Sequence, residues 1–279
     1  MLKKPARGGQ GRLPIMDLVE LVEEAMCDSA QILSTGEVTR EEGWLQLTSE
    51  GWGDYRNAVV MCREEESRID ERIRRTIDHY AQRGLSFRWQ MLPSNRPADL
   101  TDRLLAHGFK HDSVMRGMVL FGDAKLPPPA PKVRVDPLTP ADIDTMIAIL
   151  ADGGGPPNRP DPDLVRAEFS RTIARTDGLV CHFIARYDGE PAGACTLGVV
   201  SRSGLLLGAV VLKTHQRRGI YREMIRARMA VLRDLGRTVV TVHCNPDTSA
   251  PICARIGFQH ACDWDVLRWR NAGGADSNC

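Results

Sequence analysis

The segment KTHQRRGIYREM, residues 213–224, concentrates basic side chains around one glycine. It follows the apolar run GLLLGAVVL and continues into a pattern with apolar residues at helical spacing. Gly219 would let a ligand come close to the backbone, where the N–H groups of a helix start are exposed. Arg217, Arg218 and Arg222 add charge that suits pyrophosphate. The segment is therefore either a solvated basic turn or a cradle for a phosphorylated cofactor.

The composition sets limits on the class of protein. Of 279 residues, 42% are hydrophobic and 26% are charged, and the formal net charge is +1. This length accommodates two domains, each with its own core. The near-zero charge gives no electrostatic reason to expect nucleic acid or an anionic membrane as the main partner. No apolar run reaches the roughly 18 residues that a membrane-spanning helix needs.

The ends of the chain and the cysteines suggest a compartment. The basic start MLKKPARGGQGRLP lacks the apolar segment of a signal peptide, and NAGGADSNC ends the chain as a polar stretch. We expect both to be unstructured tails. The eight cysteines form no C-x-x-C pair, which favours reduced thiols over disulfides or zinc. The sequence therefore predicts a cytoplasmic protein without a bound metal.

A proline-rich stretch divides the chain. KLPPPAPK can continue neither a helix nor a central strand, and consecutive prolines form an extended spacer. The predicted organisation is a first domain over 14–124, a linker over 125–131 and a second domain over 132–271. The second domain shows the order β-α-α-β-β-β-α-β-α-β around one mixed sheet, with a hairpin turn at Asp188-Gly189.

The first half repeats the later part of this order. Its predicted elements are a strand at RNAVVMCR, a helix, a strand at SFRWQML, a helix and a strand at VMRGMVLF. LLAHGFKHD aligns with CARIGFQHA, so that Gly108-Phe109 falls on Gly257-Phe258 and His111 falls on His260, an offset of 149 residues. A repeat of this length predicts two copies of one fold.

The order of strand, Gln-Arg-Arg-Gly-Ile, helix, strand, short helix, Gly-Phe and strand resembles the GNAT acyltransferase superfamily over about 132–270. The resemblance implies two α/β domains of the GNAT type, each a mixed, mostly antiparallel sheet flanked by helices. It also implies acetyl-CoA as co-substrate, with its pyrophosphate on the amides of Gln216-x-x-Gly219. Lys213 departs from the usual proline of the motif, and Tyr221 departs from the last small residue.

The resemblance carries over to a set of residues that would bind CoA, in and after the fourth strand of the second domain. These are Val210, Val211, Leu212, Lys213, Gln216, Arg217, Arg218, Gly219, Ile220, Tyr221, Arg222 and Asn245. Asn245 has an alternative role as the start of the turn Asn-Pro-Asp.

The chemistry implied by the family is direct attack of an amine on the thioester in a ternary complex, with a backbone N–H stabilising the oxyanion. An alkyl ammonium has a pKa near ~10 and needs a base, for which His243 and Glu168 are the candidates and His182 a weaker one. Many members use as acid a Tyr four residues before the Gly of Gly-Phe, and that position is Cys253 here. The alternative is that Cys253 only packs under the short helix.

The first half resembles a degenerate GNAT domain. Where the pyrophosphate loop belongs it has CREEESRID, in which three successive carboxylates and the lack of glycine disfavour CoA. Trp52, Tyr55 and Trp89 are candidates for the wall of an acceptor cleft, with core packing as the alternative.

The predicted function is transfer of an acetyl group from acetyl-CoA to an amine of a small molecule. Two alternatives remain. The first is an acyltransferase that uses a hydroxyl acceptor or another donor, such as another acyl-CoA, a carrier protein or aminoacyl-tRNA. The second is a non-catalytic CoA-binding regulatory module. A monomer and a homodimer are both compatible with the sequence.

Overall fold

The computed structural model describes residues 15–33, 35–122, 124–152 and 161–271. The tails predicted at the two ends and the glycine loop after residue 152 lie outside these ranges, apart from Asn271. The described residues form one mixed sheet of eleven strands flanked by helices, and most of its strand pairs are antiparallel. This confirms the predicted fold class. The residue boundaries of the two domains stay a prediction.

The first half contains every element that its pattern predicted, and three more. The helix α1 and the hairpin β1–β2 precede the first predicted strand and were not foreseen. The elements are α1 (Ile15–Leu33), β1 (Glu37–Glu41), β2 (Trp44–Thr48), β3 (Ala58–Cys62), α2 (Ile69–Ala81), β4 (Phe87–Gln90), α3 (Leu100–Ala106) and β5 (Lys110–Phe121).

The second half follows the predicted order throughout. Its hairpin turns at Asp188 and Gly189, whose φ angles of 50° and 91° are those of the tight turn that this residue pair favours. The elements are β6 (Val133–Pro137), α4 (Ile143–Asp152), α5 (Pro162–Ile173), β7 (Val180–Tyr187), β8 (Glu190–Val199), β9 (Gly204–Val211), α6 (Ile220–Asp234), β10 (Val239–Cys244), α7 (Ala250–Ile256) and β11 (Gln259–Trp269).

The two halves exchange their final strands. The sheet runs β1-β2-β3-β4-β11-β5-β10-β9-β8-β7-β6. Strand β5 of the first half pairs with β10, and β11 of the second half pairs with β4. The exchanged strands β5 and β11 also pair with each other along most of their length. One hydrogen-bonded sheet therefore passes through both halves.

Helices cover the two faces of this sheet. On one face, two hydrophobic cores lie side by side along the sheet. One lies under α2 and α3, and the other lies under α6 and α7. On the other face lie α1, against strands of both halves, and the pair α4 and α5. Neighbouring residues of β11 alternate between these faces, since Val266 packs in the α1 core and Leu267 in the α2–α3 core. The sheet is thus a wall between two layers of helices.

The repeat predicted from Gly108-Phe109 and Gly257-Phe258 has a structural counterpart. The glycines follow α3 and α7, two helices of seven residues, with φ angles of 88° and 111°. This left-handed conformation ends a helix and favours glycine. Phe109 and Phe258 are both buried. None of the helices that the structure describes is both long and apolar enough to cross a membrane.

Candidate functional site

A gap opens in the second half between β9 and β10. These parallel strands pair only where Gly204–Leu206 faces Val240–Val242. Beyond Leu206 the ladder ends while both strands continue. The pairing of β9 with β8 also shifts register there, and Gly208 is exposed with a positive φ of 43°. Backbone groups of β9 at 207–211 that point away from β8 therefore face a cleft instead of β10.

The turn that follows β9 directs backbone N–H groups to the same end of the sheet. A short 3₁₀ turn at Lys213–His215 leads to Arg217 and Gly219, whose φ angles are 65° and 82°. Residues with positive φ beside a helix start form a concave group of N–H donors that suits an anion. Gly219 caps α6, a helix of 15 residues. The structure therefore brings the predicted pyrophosphate loop to a helix N-terminus.

Gly219 also lies against the proline-rich linker. A Cβ at this position would stand 3.1 Å from the Cβ of Ala130 and 3.2 Å from Nη2 of Arg222. The backbone N–H of Ala130 donates to Oε1 of Glu223 at 3.1 Å, and Arg226 donates to the carbonyl of Pro127 at 2.6 Å. The linker is therefore packed on the first turns of α6, and its contact is a second reason for glycine at position 219.

The cations of the loop are available to a ligand from solvent. Lys213, Arg217 and Arg218 are exposed, as is Gln216. The guanidinium of Arg218 lies 4.8 Å from the ring centroid of Tyr187, a cation–π contact that restricts its position. Ile220 is buried in the core, so only its backbone can contribute to the site.

The side chain of Tyr221 points into the protein. It packs against the α6–α7 core, and its hydroxyl lies 3.5 Å from Sγ of Cys253. Cys253 is fully buried, and its Sγ is also 3.5 Å from Sγ of Cys244. The Cys244 thiol donates to Cys253 and lowers the pKa of Cys253, with the Tyr221 hydroxyl acting in the same direction and burial opposing it. The unusual Tyr221 thus lies beside the predicted acid.

His243, a predicted base, lies beneath α1. Its Nε2 is 3.4 Å from the backbone carbonyl of Val22, and its ring meets the ring of Trp264 edge to face. Burial lowers the pKa of His243 to about 4. Asn245 begins a turn, because its Oδ1 accepts hydrogen bonds from the backbone N–H groups of Asp247 and Thr248. Both side chains already have structural partners, and their catalytic or binding roles stay predictions.

The second predicted base is also engaged. Glu168 is buried, and its carboxylate accepts hydrogen bonds from Arg171 at 2.8 to 3.0 Å. Arg56 of the first half lies 3.8 Å from the same carboxylate and stacks on Trp52. His182 is bonded to a threonine at each ring nitrogen, and burial lowers its pKa to about 4.

A cavity of about 970 Å³ lies between the halves, on the sheet face that carries α1, α4 and α5. Glu168, His182, Trp52 and Val210 line it, whereas Cys253 and His243 do not. Trp89 is buried in the α2–α3 core, as the packing alternative predicted. The side chain of Tyr55 lies outside the described residues. The contribution of α1 to this cavity was not predicted, although the apolar spacing of α1 is visible in the sequence.

The corresponding loop of the first half has different chemistry. Between β3 and α2 it holds no glycine, and Arg68 pairs with Glu64 at 2.9 Å and with Glu65 at 3.4 Å. Glu66 reaches Arg103 at 3.3 Å. This loop therefore has three carboxylates where the loop of the second half has arginines, which disfavours an anionic ligand. No cluster of three or more metal-binding side chains occurs in the described part of the chain.

Comparison with known proteins places this geometry in a class. Residues 146–258 match the family model for the acetyltransferase (GNAT) family. A GCN5-related N-acetyltransferase from Kribbella flavida matches at TM-score 0.67 and 14% identity, covering 88% of this chain and 95% of that chain. Another from Sphaerobacter thermophilus matches at TM-score 0.65 and 16% identity, covering 95% of this chain and 96% of that chain.

A tandem GNAT protein from the clavulanic acid biosynthesis pathway shares the architecture as well, at TM-score 0.57 and 13% identity, with 92% of this chain and 96% of that chain covered. At such identities the structural likeness shows the fold only. Comparison with curated proteins gives no significant match. The family match covers residues 146–258, which is less than half of the chain, and acyl-CoA is the co-substrate of the matched family.

Proposed function

We propose that this protein transfers an acetyl group from acetyl-CoA to the amino group of a small molecule, by direct attack in a ternary complex. The observation that carries the proposal is the end of the β9–β10 ladder beside the loop that starts α6. This arrangement places main-chain donors for a pantetheine arm and for a pyrophosphate next to each other at the same end of the sheet.

Each part of the cleft has a proposed role. The amides from Gln216 to Tyr221 and the exposed Arg217 and Arg218 bind the pyrophosphate. Main-chain groups of Val210 to Lys213 hold the pantetheine arm and stabilise the oxyanion that forms when the amine attacks. Acetyl-CoA supplies the thioester, and Cys253, hydrogen-bonded to Tyr221, is the candidate acid for the departing sulfur.

Charge reversal in the loop tests the site. Arg218→Glu and Gly219→Glu place a carboxylate beside the phosphates, where like-charge repulsion costs several kcal/mol. We expect CoA affinity, measured by isothermal titration calorimetry, to fall about 100-fold or more. Arg68→Glu, the same change in the matching loop of the first half, is the control and leaves CoA affinity within about twofold of the wild type.

The stoichiometry of the same titration tests the first half separately. We expect one CoA per chain, because the loop after β3 presents carboxylates. Unchanged affinity in both Arg218→Glu and Gly219→Glu would refute the site. Two CoA molecules per chain would instead refute the proposal that the first half does not bind CoA.

One observation favours a non-catalytic CoA-binding module as a second candidate. The three predicted bases are poorly suited to take a proton. The carboxylate of Glu168 is held by Arg171, and burial lowers the pKa of His182 and His243 to about 4, which makes both weak bases. Release of free thiol from acetyl-CoA over a panel of amines separates the two candidates. Acceptor-dependent thiol release supports the transferase, whereas CoA binding without turnover supports the module.

A further inference from the structure

The cavity between the halves is continuous with the cleft beside β9. Leu207, Gly208 and Val210 form part of its lining, and these residues lie where the β9–β10 ladder has ended. Helix α1 and the segment with Trp52 and Arg56 supply walls from the first half. A molecule in this cavity would therefore touch both halves and reach the position proposed for the thioester.

The walls of the cavity are mainly apolar. Helix α1 contributes Met26 and Leu33, α4 contributes Met146 and Ile147, and aromatic rings come from Trp52 and Phe169. Methionine side chains and aromatic rings together favour a flat aromatic group. The volume of about 970 Å³ is at the upper end of the range for clefts that enclose drug-sized molecules.

Most of the charged groups at the cavity are compensated within the protein. Glu168 accepts from Arg171 and faces Arg56 at 3.8 Å. Arg88 lies 3.4 Å from Asp54 and 3.7 Å from Asp112. Glu168, Arg56 and Arg88 thus already face opposite charges, whereas Asp161, which also lines the cavity, accepts a hydrogen bond from a backbone N–H. A ligand with several charges would therefore lose hydration for at most one new ion pair.

We infer that the cavity is the acceptor site and that the acceptor is an arylalkylamine, a molecule with an aromatic body and one primary amino group. This inference rests on the proposed function and gives its acceptor a chemical class. In the reaction the amine nitrogen bonds to the acetyl carbon and the carbon–sulfur bond breaks. The amine loses one proton, the sulfur gains one, and the products are an N-acetylated arylalkylamine and CoA. The first half builds part of the acceptor site.

The test is a binding experiment that does not need CoA. Dansylcadaverine, a fluorescent aryl amine, is titrated into the full-length protein, and its emission reports transfer to an apolar site. We expect saturable binding that tryptamine displaces and that spermidine, a polycation without an aromatic body, does not displace at the same concentration.

Matched variants on α4 locate the binding. Ile147 lines the cavity and is half-buried, whereas its neighbour Ala148 is exposed and does not line it. Ile147→Arg is expected to weaken dansylcadaverine binding at least tenfold, and Ala148→Arg to leave it within about twofold. Leu150→Glu, one turn further along α4, repeats the test with the opposite charge. Melting temperatures of the variants verify that each protein is folded.

The outcomes separate the two proposals. Absence of saturable dye binding to the wild type, equal displacement by spermidine, or full binding in both Ile147→Arg and Leu150→Glu would overturn the inference. A parallel CoA titration without binding would overturn the proposed function, and with it the role of the cavity as acceptor site. The dye experiment would still decide whether the cavity binds an aryl amine.

Discussion

The loop after β9 and the loop after β3 occupy equivalent places, and their chemistry is opposite. Both connect a strand to an amphipathic helix, beside a short parallel ladder with the next strand. The loop of the second half has Gly219 and exposed arginines, with two residues at positive φ. The loop of the first half has three glutamates paired with arginines. The same scaffold thus presents donors in one half and carboxylates in the other.

This difference teaches that the scaffold alone does not make the site. The strand, turn and helix position a loop, and the residues of the loop decide whether an anion can bind. The first half has the same strand, turn and helix, but its loop lacks the residues that would bind an anion. A different part of the first half contributes to a proposed binding site. It lines the cavity on the opposite sheet face through α1, Trp52 and Arg56. A copy without a CoA loop can therefore still contribute to substrate binding.

The largest expected effect comes from separating the halves. Residues 125–279 expressed alone lack β5, so β10 has an open edge and β11 loses both of its neighbours. We expect no cooperative thermal transition by circular dichroism and extensive aggregation in size-exclusion chromatography. Co-expression with residues 1–124 should restore a folded complex. A monomeric fragment with a sharp transition would show that the halves fold independently.

A smaller effect concerns stability in acid, where His182 of the second half should lower the free energy of unfolding more than His79 of the first half does. The pKa of His182 is about 4 in the folded protein against 6.5 ordinarily, because burial disfavours its charged form. Below pH 6.5 the unfolded chain therefore binds more protons, and the free energy of unfolding falls as pH drops towards 4. For His182 the loss amounts to about 3 kcal/mol.

His182→Gln should flatten this part of the stability profile, measured by urea denaturation between pH 7 and pH 4 (roughly the window of the two pKa values). His79→Gln is the matched change in the first half. Burial also lowers the pKa of His79, but this side chain is only half-buried and bonds one threonine, so its variant should alter the slope less. An unchanged slope in His182→Gln would contradict this assignment.

The smallest effect concerns the two equivalent glycines. A Cβ at Gly108 meets no atom within 4 Å, and one at Gly257 meets only Leu120 at an ordinary distance of 3.6 Å. Alanine at either position therefore has only the backbone cost of positive φ, about 1 kcal/mol. Gly108→Ala and Gly257→Ala should each lower the melting temperature by about 2–4 °C, in one shared transition. Two separate transitions would contradict a single cooperative unit.

The sequence predicted local features well. The strands β7 and β8, the turn at Asp188-Gly189 and the helix that begins after Gly219 all depend on neighbouring residues, and the structure has them. Helix α1 was overlooked although Leu18, Val22 and Ala25 show helical spacing and are buried. These features needed no knowledge of distant contacts.

The strand exchange and the cavity depend on distant contacts and could not be predicted in this way. The apolar residues of β5 and β11 fit a strand in either half, so they do not specify which neighbour each strand pairs with. The direction of Tyr221 was likewise set by Cys253, 32 residues further along. The residues that line the cavity come from segments separated by more than 100 positions, and no local pattern joins them.

The exchange of β5 and β11 also has a consequence for synthesis on the ribosome. Strand β4 ends at Gln90, but the strand that covers its edge begins only at Gln259. At typical rates of translation the ribosome needs on the order of 10 seconds to make the intervening chain. During that interval the edge of β4 is open to pairing with other chains, so the nascent first half is a natural client for chaperones until β11 emerges.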